Sequence, residues 1–116
     1  MRFKMGLLSL LFGISAAPKV YANTEDFVIL DVRTPAEYAE SHVQGSLNID
    51  LLDASFKNKI TKLDKNKIYK LYCRSGNRSG QAASFMKELG FKDVENIGSL
   101  GQASKKLNRS CEGRKC

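Results

Sequence analysis

The sequence has a single histidine, His42, and three cysteines, Cys73, Cys111 and Cys116, in 116 residues. So few ligands, so scattered, exclude a zinc or other metal cluster, which needs a converging set of such side chains. No Cys-x-x-Cys pair is present, whereas a thiol–disulfide oxidoreductase normally sets two thiols at a helix start. There is no polar low-complexity tract and the apolar share, 42%, is ordinary, which excludes a disordered chain. No apolar run reaches the roughly 20 residues of a membrane span; the N-terminal one stops at Pro18 and Lys19. Positive charge predominates, +7 in all, yet no aromatic residues interleave with the lysines gathered between Phe56 and Leu71. A base-stacking surface for nucleic acid would need them, so those lysines read as the solvated face of a helix and a turn. The charge supports only a weak attraction for small anions. The length has room for one domain.

What is present begins with an export pattern. Arg2 and Lys4 precede a short apolar stretch over residues 5–17, and Val20, Tyr21 and Ala22 supply a small-residue cleavage site. That order describes a secretory signal peptide over residues 1–22 and predicts a periplasmic protein. A retained membrane anchor is the losing alternative because the run is short, and no cysteine follows closely enough for a lipid-modified N-terminus. Cleavage after Ala22 would remove Arg2, Lys4 and Lys19 and leave a mildly basic chain with no stable membrane association. One domain over 23–107 and a C-terminal tail over 108–116 complete the expected division. In an oxidising compartment three cysteines mean one pair and one free thiol, or no pair at all. Spacing favours Cys111 with Cys116, together on a tail rich in glycine and charge, and leaves Cys73 free.

Residues 26–32 (DFVILDV) are continuously apolar between their acids, the pattern of a strand buried on both faces of a parallel sheet. Thr34, Pro35 and Glu37 form a capping box that opens a short helix to about Ser41. Residues 42–45 then turn the chain and 46–49 make a second short strand. Leu52, Phe56, Ile60 and Leu63 fall on one face of a helix over 51–63. Residues 68–72 are a third strand ending at Cys73, 79–89 a helix closed by Gly90, and 94–97 a fourth strand. Residues 98–101 turn, and 102–107 make a last helical turn. Alternation of strand and helix predicts an α/β fold, a three-layer parallel sheet of four to five strands flanked by helices. In such sheets the chemistry lies beyond the carboxyl ends of the strands, where Cys73 falls.

The segment Cys73-Arg74-Ser75-Gly76-Asn77-Arg78-Ser79 leaves a strand and opens a helix. Backbone N–H groups of such a loop converge on one point, and the helix N-terminus adds positive potential. Gly76 permits the positive φ that the bend requires and Asn77 tolerates one. With Arg74 and Arg78 close by in sequence, Cys73 is expected to titrate below an ordinary thiol and to act as a nucleophile. The alternative, a small buried hydrophobe, leaves the arginines, the glycine and the helix start unexplained.

Asp31-Val32-Arg33, Glu37-Tyr38, the run from His42 through Gly45 to Ile49, and the Cys73 loop together resemble a rhodanese domain, over about residues 27–100. The export pattern and the runs Ser79-Gly80-Gln81-Ala82 and Val94-Glu95-Asn96 bring the chain nearest to the small exported members of that family. The resemblance implies a sulfurtransferase without cofactor or metal. Cys73 would take sulfane sulfur from thiosulfate or a similar donor and pass it, through a persulfide, to cyanide or a thiol. The N–H groups of Arg74, Ser75, Gly76, Asn77 and Arg78 would hold the persulfide charge, and one or both arginines the donor's anionic group. Asp31 and Arg33 would support the domain, while His42 and Gly45 shape a turn. The expected partners are thus a small anionic sulfur donor and a thiol or cyanide acceptor, and the small mildly basic domain is expected to be a monomer. Related phosphatases place one residue more between cysteine and arginine and a histidine before the cysteine; here Tyr72 stands there. That spacing disfavours phosphatase and arsenate reductase chemistry.

Family members commonly carry a strand and helix ahead of the strand that ends in Asp31-Val32-Arg33; after cleavage only residues 23–25 would precede it here, so four main strands are expected. The chain also lacks the aromatic residue that often follows the last glycine pair, and has no tryptophan at all. The tail lies outside the resemblance and reads as a solvated end, with a small loop if Cys111 and Cys116 pair. A sharper alternative has a tail thiol resolving the Cys73 persulfide. A thiol–disulfide oxidoreductase and a non-catalytic binding module are the rival functions.

Overall fold

The structure is a computed structural model and describes residues 26–116; the expected signal peptide lies outside the described residues. The elements in chain order are β1 (Phe27–Asp31), α1 (Pro35–Glu40), β2 (Ser41–Val43), β3 (Leu47–Asn48) and α2 (Phe56–Thr61). β4 (Ile68–Cys73), α3 (Asn77–Glu88), β5 (Asp93–Ser99), α4 (Leu100–Leu107) and β6 (Cys111–Gly113) follow. β3, β1, β4 and β5 lie side by side in that order, every pair parallel. The expected three-layer α/β fold with four main strands is therefore the observed one among the described residues.

Side chains alternate between the two faces of a strand, and this places the chemistry. Leu30 and Val32 of the first crossing, with Tyr69, Leu71 and Cys73 of β4, face one core together with Phe56 and Ile60 of α2 and Ala82, Ala83 and Met86 of α3. Ile29 and Tyr72 face the other core, with Ile97 and Ala103 of α4. Cys73 shares the face of Tyr69 and Leu71 by period two, so its side chain turns beneath the start of α3. In β5 the alternation is broken opposite Leu71 and Tyr72, which pair with Asn96 and Gly98; the extra residue, Ile97, swings into the second core.

Several local expectations are corrected. The second helix begins at Phe56 and not at residue 51, because residues 51–55 are held in turns by the Asp50 and Asp53 side chains. Leu52 accordingly stands 69% exposed instead of joining the core. Helix α3 starts at Asn77, two residues early, so Arg78 and Ser79 belong to its first turn. Where residues 98–101 were expected to turn, Ser99 caps α4, accepting from the Gln102 N–H while Gln102 returns to the Ser99 N–H. The capping box at Thr34 and Glu37 forms as expected. The largest difference is at the tail. Residues 111–113 pair antiparallel with Ser41–Val43, where a turn and a ragged end were expected.

Candidate active site

Cys73 is the last residue of β4 and is fully buried. Its Sγ accepts the Gly76 N–H at 3.0 Å and lies 3.4 Å from the Ser79 hydroxyl. Gly76 makes this possible by standing at φ +98 as the cap of α3, a conformation strained for any residue with a Cβ. Burial pushes the thiol's pKa up, but the Ser79 hydroxyl and the N–H groups of Ser79, Ser75 and Gly76 outweigh it, so the net shift is downward. The cradle therefore stabilises a thiolate chiefly through hydrogen-bond donors. Cys73 is the one free cysteine among the described residues.

The two arginines divide. Arg78 does not point its fork at the sulfur: Nη1 and Nη2 donate to the two carboxylate oxygens of Glu37 at 2.9 and 3.0 Å. The bidentate bond holds Glu37 down to about 2, against the opposing effect of burial. Since Glu37 also caps α1 through Thr34, the pair ties the Cys73 loop to α1. Arg74, by contrast, is 79% exposed and only 3.6 Å from Glu37 at its nearest. Of the one or two arginines expected to face a donor, Arg74 is the exposed one, while Arg78 already has a carboxylate. Ser75 Oγ and the Asn77 N–H face each other at 3.4 Å within the loop.

Asp31 and Arg33 form a buried pair at the end of β1. Arg33 Nε and Nη2 donate to the Asp31 carboxylate, and Nη2 also reaches the Ser41 carbonyl. His42 stacks on Tyr38 at 3.8 Å, with Nδ1 on the Tyr38 carbonyl at 2.8 Å and Nε2 near Glu112 at 3.4 Å. Gly45 turns at φ +85, where a Cβ would press on Arg109. None of these four touches the Cys73 sulfur. Cys111 and Cys116 form a disulfide with Cα atoms 5.7 Å apart.

Sequence reasoning missed three residues of the site. Glu37, Ser79 and Asn96 were read as a helix cap, a helix start and a strand residue and as parts of the family's motifs, without a role at the sulfur. Asn96 Nδ2 donates to the Gly76 carbonyl at 2.9 Å, and its Oδ1 accepts from the Ser79 hydroxyl at 2.7 Å and the Gly98 N–H at 3.0 Å. One side chain thereby fixes both ends of the cradle. The Ser79 hydroxyl has one proton for two acceptors, Asn96 Oδ1 and the sulfur. No local pattern signals this triangle, because Asn96 arrives from the next strand.

A cavity of about 290 Å³ adjoins the loop, lined in part by Arg74, Glu37, Glu40 and Leu100. A larger depression of about 400 Å³, floored by Phe27, Ile97 and Leu107, borders no residue of the loop; the chemistry argues for the smaller one. No group of three or more metal-ligating side chains occurs among the described residues.

The profile of the rhodanese-like domain matches residues 17–99. The chain belongs to the rhodanese-like domain family. It is 41% identical over 98 residues to the thiosulfate sulfurtransferase PspE of Escherichia coli, covering 84% of this chain and 89% of that one. A sulfurtransferase of Allochromatium vinosum is 33% identical over 76 residues, 66% of this chain and 69% of its own. Among solved structures, a rhodanese with anions from E. coli superposes with a TM-score of 0.61 at 36% identity, covering 74% of this chain and 96% of that one. These similarities support sulfurtransferase chemistry for this rhodanese-like chain, with a sulfur donor and a sulfur acceptor as its reactants.

Proposed function

We propose that this rhodanese-like protein is an exported thiosulfate sulfurtransferase that works as a monomer with Cys73 as its nucleophile. The observation that carries the reading is the Cys73 sulfur accepting the Gly76 N–H at 3.0 Å beside the Ser79 hydroxyl. Cys73 thiolate attacks the outer sulfur of thiosulfate, the S–S bond of the donor breaks, and sulfite leaves with the electron pair. The Cys73 persulfide keeps its negative terminal sulfur among the loop N–H groups. Cyanide or a thiolate then attacks that terminal sulfur, and the electron pair of the broken bond returns to Cys73. Arg74, exposed and loosely placed beside Glu37, serves the anionic group of the donor. Export rests on the basic, apolar and small-residue order of residues 1–22.

The deciding test is thiosulfate:cyanide turnover by residues 23–116, beside Cys73→Ser. Turnover and a one-sulfur mass gain are expected in the first and neither in the second. A folded protein that never acquires the extra sulfur would make the binding-module reading the better one.

A further inference from the structure

The tail returns to the catalytic end of the molecule. β6 pairs with β2 from Val43↔Cys111 to Ser41↔Gly113. Gly113, at φ +115, allows the approach, for a Cβ there would run into the Glu40 carbonyl and Ser41 Cα. The Cys111–Cys116 disulfide closes the turn that follows, and the Lys115 N–H donates to the same Glu40 carbonyl at 3.3 Å. Lys115 is thereby held as a lining residue of the 290 Å³ cavity that Arg74 also lines. Of the other charges on that wall, Arg33 is committed to Asp31 and Glu37 to Arg78. Arg74 and Lys115 therefore outweigh Glu40, and the cavity that meets the Cys73 loop at Arg74 favours an anion.

We propose that Lys115 is a specificity-determining residue for the anionic sulfur donor, presented with Arg74 by a tail that the Cys111–Cys116 disulfide latches in place. This rests on the sulfurtransferase reading. The ammonium acts on binding of the donor and takes no part in bond making, so its removal raises KM and spares kcat.

Lys115→Ala is expected to raise KM for thiosulfate about three- to fivefold, the scale of a solvent-accessible charge contact. Lys115→Glu raises it further and Lys115→Arg restores it, with kcat within about twofold throughout. Cys111→Ser/Cys116→Ser shifts KM in the same direction, and added salt narrows the gap between wild type and Lys115→Ala. Thiosulfate binding to Cys73→Ser, followed by calorimetry with and without Lys115→Ala, gives a readout independent of turnover. An inactive wild type whose thiosulfate binding still weakens with Lys115→Ala would remove the sulfurtransferase reading and keep the tail's role in binding the anion. Unchanged KM and unchanged binding in both Lys115→Ala and Lys115→Glu would overturn the proposal, whatever the activity of the wild type.

Discussion

At the end of β4 a single sulfur is held by hydrogen-bond donors, whereas in the tail two sulfurs are bonded to each other. Cys73 is buried beneath the start of α3, and the more exposed loop that follows it is cross-tied by Asn96, Glu37 and Ser79. The tail lies on the surface, paired through three short residue couples to β2. The first arrangement lowers the pKa of a thiol and leaves it free; the second removes thiol chemistry and fixes the course of the backbone. The same element thus serves reactivity where backbone N–H groups converge, and shape where a second cysteine is within reach.

Breaking the loop should have the largest effect. Gly76→Ala forces a Cβ into φ +98, which costs on the order of 1–2 kcal/mol. It also turns the N–H away from Cys73, so kcat/KM should fall at least tenfold while circular dichroism still reports the fold. An unaltered rate would mean that the Gly76 N–H is not part of the cradle.

Glu37→Gln comes next. The Glu37 carboxylate is held at about 2 by Arg78, so the stabilisation is fully present above the ordinary carboxylate range and is lost as pH falls through about 2. Replacing it should lower stability by about 1–3 kcal/mol at neutral pH, with a smaller loss in acid, measurable by urea unfolding across pH. A loss that stays constant from neutral to acid pH would contradict the role of the charge.

A smaller effect is expected of Ser79→Ala. Because Cys73 is shifted downward, the thiolate form and the activity are present above its pKa and decline as pH falls through it. Loss of the hydroxyl should move that inflection upward and reduce kcat/KM a few-fold at neutral pH, as iodoacetamide alkylation rates against pH would show. No movement would assign the Ser79 proton wholly to Asn96. The smallest change is expected from Cys111→Ser/Cys116→Ser on global stability, a melting shift of a few degrees at most, since the tail ties only itself and β2. A large shift would make the tail part of the cooperative core.

Much of this was legible in the chain. The unbroken apolar run through Ile29 and Leu30, the capping box at Thr34 and Glu37, and a cysteine between a strand and a helix all depend on residues a few positions apart. Such signals survive without tertiary context, and the α/β class and the position of Cys73 follow from them. The helix over 51–55 failed for the converse reason. Phe56 and Ile60 do share a buried face, but Leu52 does not join them, because the Asp50 and Asp53 side chains capture the backbone in turns.

The sequence by itself determined the parallel sheet, the place of Cys73 between a strand and a helix, and the pairing preference of the tail cysteines, because periodicity and local hydrogen bonding are written in neighbouring residues. Only the tertiary structure decided that Arg78 belongs to Glu37, that Asn96 ties Gly76 to Ser79, and that residues 111–113 lie along Ser41–Val43. Each of these joins groups that are far apart in the chain, and their meeting depends on how the strands and helices close on one another.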